Sequence, residues 1–280
     1  VEKDGAGTLT LAPSAAGGNT YTGGTLLKAG TLSVSADSAL GGASGGVTFD
    51  GGTLQLGSSF DLSSTRAVTI TSNGGTIDTQ AFQSTIAQGI TGAGALTKTG
   101  TGTLVLDGVN TFSGATSVVA GTLVVGDASH TGASVAGPAT VASGATLGGY
   151  GSVNGDVTNN GTIAVANALS AAVTSADAKV ARGSAIAVSH AQSSVAASTQ
   201  GSFTINGTLT NAGLVQIGGG AQAGNTLNVN SYVGQNGTIA LNTVLAGDNA
   251  ASDKLVVNGG TATGSTTLKV TNVGGQGAPI

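Results

Sequence analysis

Several residue groups in this chain of 280 residues have types and spacings that invite a chemical reading. Gly42-Ala43-Ser44-Gly45-Gly46 has the Gly-x-Ser-x-Gly form of a nucleophile elbow, a strained strand-to-helix turn that exposes a serine hydroxyl. Yet 28 serines among 50 glycines give about 0.9 such matches by chance, and no strand–turn–helix pattern surrounds this one. A glycine-rich turn is expected there. His130 and His190 are the two imidazoles, without a second His, Glu or Cys at metal-ligand spacing. Both are expected to be solvated. The spacing of Asp107 and Asp127 would place them on neighbouring coils of a solenoid, where paired carboxylates suit glycoside chemistry. Each follows a strand-like segment, however, and Asp commonly opens a turn there. Asp248, Asn249 and Asp253 read as an Asx-rich turn sooner than as a cation site. No catalytic residue, bound metal or cofactor is expected, and the chain does not read as an enzyme.

The elements that must carry these residues are announced by a repeat. The unit is Gly, then Thr or Ala, then Leu or Ile, at Gly7, Gly30, Gly52, Gly75, Gly94, Gly121 and Gly161, with a looser copy at Gly144. The steps between successive copies are 23, 22, 23, 19, 27, 23 and 17, and their mean is 22. Most open a short alternating segment such as Leu54-Gln55-Leu56 or Val68-Thr69-Ile70, which reads as strand. Asn-Gly pairs at 73, 160, 206 and 236 mark turns between segments. A strand cannot bury its aliphatic face alone, and one such period is long enough for three short strands and three turns. Stacked at about 4.8 Å, such circuits would lay Leu on Leu along one axis. The predicted fold is therefore all-β, a parallel β-helix. A β-sandwich with glycine-rich loops is the alternative, but it requires no fixed motif at this period.

Composition agrees. Only 7% of residues are charged and 3% aromatic, while 39% are hydrophobic, so the chain is too aliphatic for disorder. A narrow interior accounts for the absence of Trp and the five Phe. The net charge of −4 comes with eight scattered cations, which excludes a nucleic-acid or anionic-lipid footprint. No apolar run spans a bilayer and aromatic girdles are lacking, so no bilayer insertion is expected. Zero cysteine excludes disulfides and suits a chain that crosses an oxidising compartment unfolded. From Val1 onward there is no signal-peptide pattern and no initiating Met, as in a fragment or a processed product.

Three segments follow. Residues 1–163 carry the repeat as a stalk. Residues 164–200 are Ala-rich, with Val165, Leu169 and Val173 on one helical stripe, predicting a helix over about 167–181. Beyond Gly201 the strand spacing shortens, which predicts a hairpin-rich C-terminal cap over 201–280. Thr8 and Thr10 do not recur as Thr-x-Thr on later coils, so an ice-binding face is unsupported.

Two stretches align with each other. Gly7-Thr8-Leu9, Asn19-Thr20-Tyr21-Thr22-Gly23 and Ala29-Gly30-Thr31-Leu32 match Gly102-Thr103-Leu104, Asn110-Thr111-Phe112-Ser113-Gly114 and Ala120-Gly121-Thr122-Leu123. This pattern resembles the passenger-associated transport repeat of Gram-negative autotransporters. The segment from Gly247-Asp248 through Ser252-Asp253-Lys254-Leu255-Val256-Val257 to Gly274-Gly275-Gln276-Gly277-Ala278 resembles the pertactin-like autochaperone region. The resemblance implies a right-handed β-helical passenger, secreted or displayed at the bacterial surface through an outer-membrane β-barrel of the same protein. That barrel is absent from this chain and is the expected partner. It implies a structural and folding role, with the C-terminus emerging first and seeding the coils upstream. The expected seed core is Leu227, Val229, Ile239, Leu241, Leu255, Val257, Leu268 and Val270. A host-cell ligand or self-association through the lateral face is a second reading. A scaffold for an N-terminal protease or esterase domain is a third.

Overall fold

A computed structural model describes residues 1–12, 17–169, 199–247 and 249–277. Within them the chain winds into a parallel β-helix built from three stacks of strands. The first stack begins with Glu2–Lys3 and continues through Thr25–Leu27, Val47–Phe49, Val68–Ile70 and Ile90–Gly92. The second runs from Thr8–Leu11 through Thr31–Val34, Thr53–Leu56 and Gly75–Asp78 to Leu96–Thr99, then on to Thr116–Val118 and Ala139–Val141. The third starts at Gln83–Ile86 and climbs through Thr103–Leu106, Thr122–Val125, Thr146–Gly149 and Thr162–Val165.

The repeat becomes register directly. Leu9 pairs with Leu32, Leu32 with Leu54 and Leu54 with Ile77, reproducing the first three steps of the repeat. Inward positions are aliphatic. Leu104, Leu123, Leu147 and Ile163 stack in one column, each with no measurable exposure. Burial of each such side chain contributes about 1.5–3 kcal/mol. The interior is narrow enough that Gly75 lacks a side chain because Phe49 fills its place; a Cβ there would collide with the ring. Outward positions alternate to hydroxyls. One column joins Thr8, Thr31, Thr53, Thr76, Thr97, Ser117, Thr140, Thr158 and Thr210, rung by rung.

The ladder passes straight across the Ala-rich segment. Thr158 pairs with Thr210 and Ile163 with Val215, offsets more than double the usual period. Nearly all of the predicted 167–181 helix lies outside the described residues, as does His190.

The C-terminal region differs from expectation. Strands Ser202–Asn211, Thr226–Val244, Lys254–Val257 and Ala262–Gly274 all pair in parallel, so no hairpin cap forms among them. Antiparallel contacts among the described residues are confined to the bridges Gly219–Gln222 and Thr243–Ser252. The reason lies in the corners. Asn206-Gly207 and Asn236-Gly237 read as reversing turns, yet a parallel partner runs past both. Asn236 adopts φ 60°, a left-handed conformation that Asn tolerates, and the strand rounds a solenoid corner there without doubling back.

Candidate functional site

The last coils are where the predicted seed residues fall, and the structure divides them between two walls. Leu227 and Val229 pair with Leu255 and Val257 on one wall; Ile239 and Leu241 pair with Leu268 and Val270 on another. Leu227, Val229 and Ile239 belong to the buried core, while Leu241, Leu255 and Val257 pack against it half-buried. Leu268 and Val270 do not fit the expectation of burial. They are 60% and 56% exposed, because their strand is the terminal rung of the described stack and no further rung covers it. The aliphatic column that begins at Leu104 thus ends uncovered at Leu268.

Polar groups whose long-range role the sequence did not reveal bind these coils together. Asp253 is 6% exposed, and its carboxylate accepts backbone N–H bonds from Gly224 (2.8 Å), Asn225 (2.9 Å) and Asn242 (2.7 Å). It joins the 224–225 turn, the long strand and the start of the next rung at one anion. An Asx-rich turn describes this region only in part: Asp253 closes long-range contacts, and Asp248 lies outside the described residues. Asn225 in turn donates to Asn167 and to the Ile217 carbonyl (2.7 Å), and Asn242 donates to the Gln222 carbonyl (2.9 Å). A second chain runs along the axis. Buried Asn159 donates to Asn211 (2.8 Å), Asn211 to the Tyr232 hydroxyl (3.2 Å), and Tyr232 meets Thr266 (2.8 Å). One signal was available: Thr158-Asn159-Asn160-Gly161 and Thr210-Asn211-Ala212-Gly213 share a Thr-Asn-x-Gly pattern and pair in register.

The residues weighed for catalysis fall elsewhere. Asp107, Asp127 and His130 do come together on adjacent coils, their donor atoms all within 4.8 Å of one another. Among the described residues this is the group able to hold a metal ion. His130 Nδ1 lies 2.7 Å from Asp127 Oδ1 and 3.5 Å from Asp107 Oδ2. The hydrogen bond to Asp127 raises the imidazole above its usual pKa. Burial, then the facing Asp127 carboxylate, raises Asp107. Asp127 Oδ1 also accepts the Ser129 and His130 backbone N–H groups at 2.8 and 2.9 Å, the Asx turn expected of it. The Gly42–Gly46 segment is a cradle for Arg66, with Ser44 exposed outside it. Arg66 is fully buried, pairs bidentately with Asp37 at 2.8 and 3.0 Å, and donates to the carbonyls of Leu40, Gly41, Gly42 and Gly45. It thereby ties its own coil to the 37–45 segment of the coil before.

Residues 209–280 match the autochaperone domain type 1 family, and residues 1–34 and 96–125 match the passenger-associated-transport-repeat family. The two matches are consistent with an autotransporter passenger. Both families are structural rather than catalytic, and passengers of the kind that carry them are secreted or displayed at the cell surface. Among curated proteins, the chain is 54% identical to the uncharacterized protein YuaQ of Escherichia coli (strain K12) over 48 residues, 17% of this chain and 3% of that protein. It is 47% identical to the uncharacterized protein YdeU of the same strain over 55 residues, 19% of this chain and 12% of that protein. The chain therefore spans only a small part of the curated relatives it matches. No solved structure matches the chain.

Proposed function

We propose that the C-terminal coils of this passenger act as a folding seed on which the upstream coils assemble one at a time. The observation that carries this reading is the unbroken parallel ladder from the terminal rung to the first, in which each coil is completed by the edge of its neighbour. Stability in such a stack propagates between nearest neighbours. An exposed coil edge is a row of unpaired backbone groups that templates the next strand. The Asp253 and Asn159–Tyr232 networks give the last coils cross-links beyond the aliphatic column. If the C-terminus emerges first, those coils order first, and folding outside the membrane favours forward movement without ATP.

Leu227→Asp and Leu255→Asp in the full-length protein test this. Secreted, protease-resistant passenger is expected to fall about tenfold or more, since each places a charge in or against the core. Leu32→Asp, far upstream, should leave the downstream coils folded and displayed. Undiminished display of folded passenger by both seed variants would reject the seeding role.

The hydroxyl column favours a second reading, an adhesive or self-associating lateral face. Each Thr is both donor and acceptor, so two copies of this nearly uncharged column are self-complementary at the same rung spacing. Sedimentation of the purified chain, with Thr53→Lys and Thr97→Lys as disrupting variants, checks it; a persistently monomeric, non-adherent chain removes it.

A further inference from the structure

Each transport repeat buries a lysine where the interior pattern calls for an aliphatic residue. Lys98 stands in an inward column between Ile77 and Val118, and Lys3 stands in register with Leu27. They are 0% and 5% exposed. Burying an ammonium is costly unless it is paired, yet among the described residues neither lysine has a carboxylate within ion-pair distance. Three backbone carbonyls serve instead. Lys98 Nζ donates to Thr99 (2.8 Å), Gly100 (2.8 Å) and Ala120 (3.0 Å). Lys3 Nζ donates to Asp4 (3.1 Å), Gly5 (2.6 Å) and Ala29 (2.9 Å). All three ammonium protons are used in each case.

The two cages are the same device. Two carbonyls come from the first and second residues after the lysine. The third belongs to the Ala that precedes Gly30-Thr31-Leu32 or Gly121-Thr122-Leu123 on the following coil. The glycine after that Ala has φ 65° in one repeat and 66° in the other, and in both it abuts the cage carbonyl of Gly5 or Gly100. We infer that Lys3 and Lys98 are positioning residues that fasten each transport repeat to the coil after it, through a carbonyl cage that forms only in the correct register. This rests on the folding order proposed above for its part in transport. In that order the Ala carbonyl is fixed before the lysine arrives, so an incoming coil that is one rung out of place leaves an ammonium without its third acceptor.

Hydrogen exchange on the folded passenger segment tests the fastening apart from secretion. Lys98→Met keeps an unbranched apolar stem of nearly the same length but donates nothing. Amides of residues 99–103 and 119–123 should then exchange about tenfold faster, with amides of 152–165 within about twofold of wild type. Lys3→Met, on the first rung, should do the same at residues 4–8 and 28–32 even if the other variant fails to fold, because loss of an end coil spares the rest. In the unsubstituted chain, the Lys98 Nζ protons should give a slowly exchanging ammonium signal with couplings to the three cage carbonyl carbons. Unchanged exchange in both Met variants, or a solvent-averaged Lys98 signal, would overturn the inference. Local loosening with normal secretion would uphold the fastening and remove only its place in transport.

Discussion

Lys98 carries a measurable electrostatic signature. Burial pulls its ammonium down to about 8 from an ordinary 10.5, and the Asp78 carboxylate opposes this. The unfolded chain holds that proton up to about 10.5, so between the two values the unfolded state binds more protons and stability rises with pH. The neutral amine still donates two hydrogen bonds to its cage while shedding the cost of the buried charge. Stability followed by denaturant melts should therefore increase from pH 8 to 10, and Lys98→Met should flatten that slope. His130 has the opposite sign. Its raised pKa adds a contribution that is complete below the unfolded value near 6.5 and fades as pH climbs through the folded one. An NMR titration should place His130 above 6.5, and Asp127→Asn should bring it back down. Arg66→Met would strand the Asp37 carboxylate and four loop carbonyls, a loss of about 3 kcal/mol or more. It should appear as protease cleavage within residues 37–46.

Strands and corners show why some of the fold was legible and some was not. The Gly-Thr-Leu period became the register in the early coils because the first units sit at the same point of successive circuits, so Leu9, Leu32 and Leu54 could be stacked from spacing alone. The C-terminal topology was misread because Asn-Gly looks alike at a hairpin and at a solenoid corner. Only the parallel partner distinguishes them, and that partner lies a full coil away along the chain. The exposure of Leu268 and Val270 was hidden for a related reason: alternation shows which way a side chain points, not whether another rung lies on it. Lys3, Lys98, Arg66 and Asp253 were missed because charge in a sequence suggests solvent, and the atoms that satisfy these four are largely backbone groups. Asp253→Ala tests this scale. Three amides would lose their acceptor, each unsatisfied donor costing about 1–3 kcal/mol. Residues 218–225 and 250–257 should become exchange-labile while the 96–165 coils stay protected.

At the scale of the molecule, the described stack is quasi-one-dimensional, so damage should stay local, and under the proposed folding order it spreads only from the C-terminal coils. Shortening residues 170–198 should leave the thermal transition and protease resistance of the solenoid nearly unchanged, because the ladder closes across them through Thr158–Thr210 and Ile163–Val215. A collapse of the coils on both sides would contradict that pairing.

The two lysine-bearing repeats do not occupy equivalent walls. In the first, the lysine strand belongs to the stack that starts at Glu2 and its Gly-Thr-Leu strand to the stack that starts at Thr8. In the second, the lysine strand Leu96–Thr99 lies on the Thr8 stack and Thr103–Leu106 has moved on to the next. The prism has thus been rotated by one side between two copies of a single motif. Lengthening by duplication then need not proceed in whole turns, since an added third of a circumference still finds complementary neighbours.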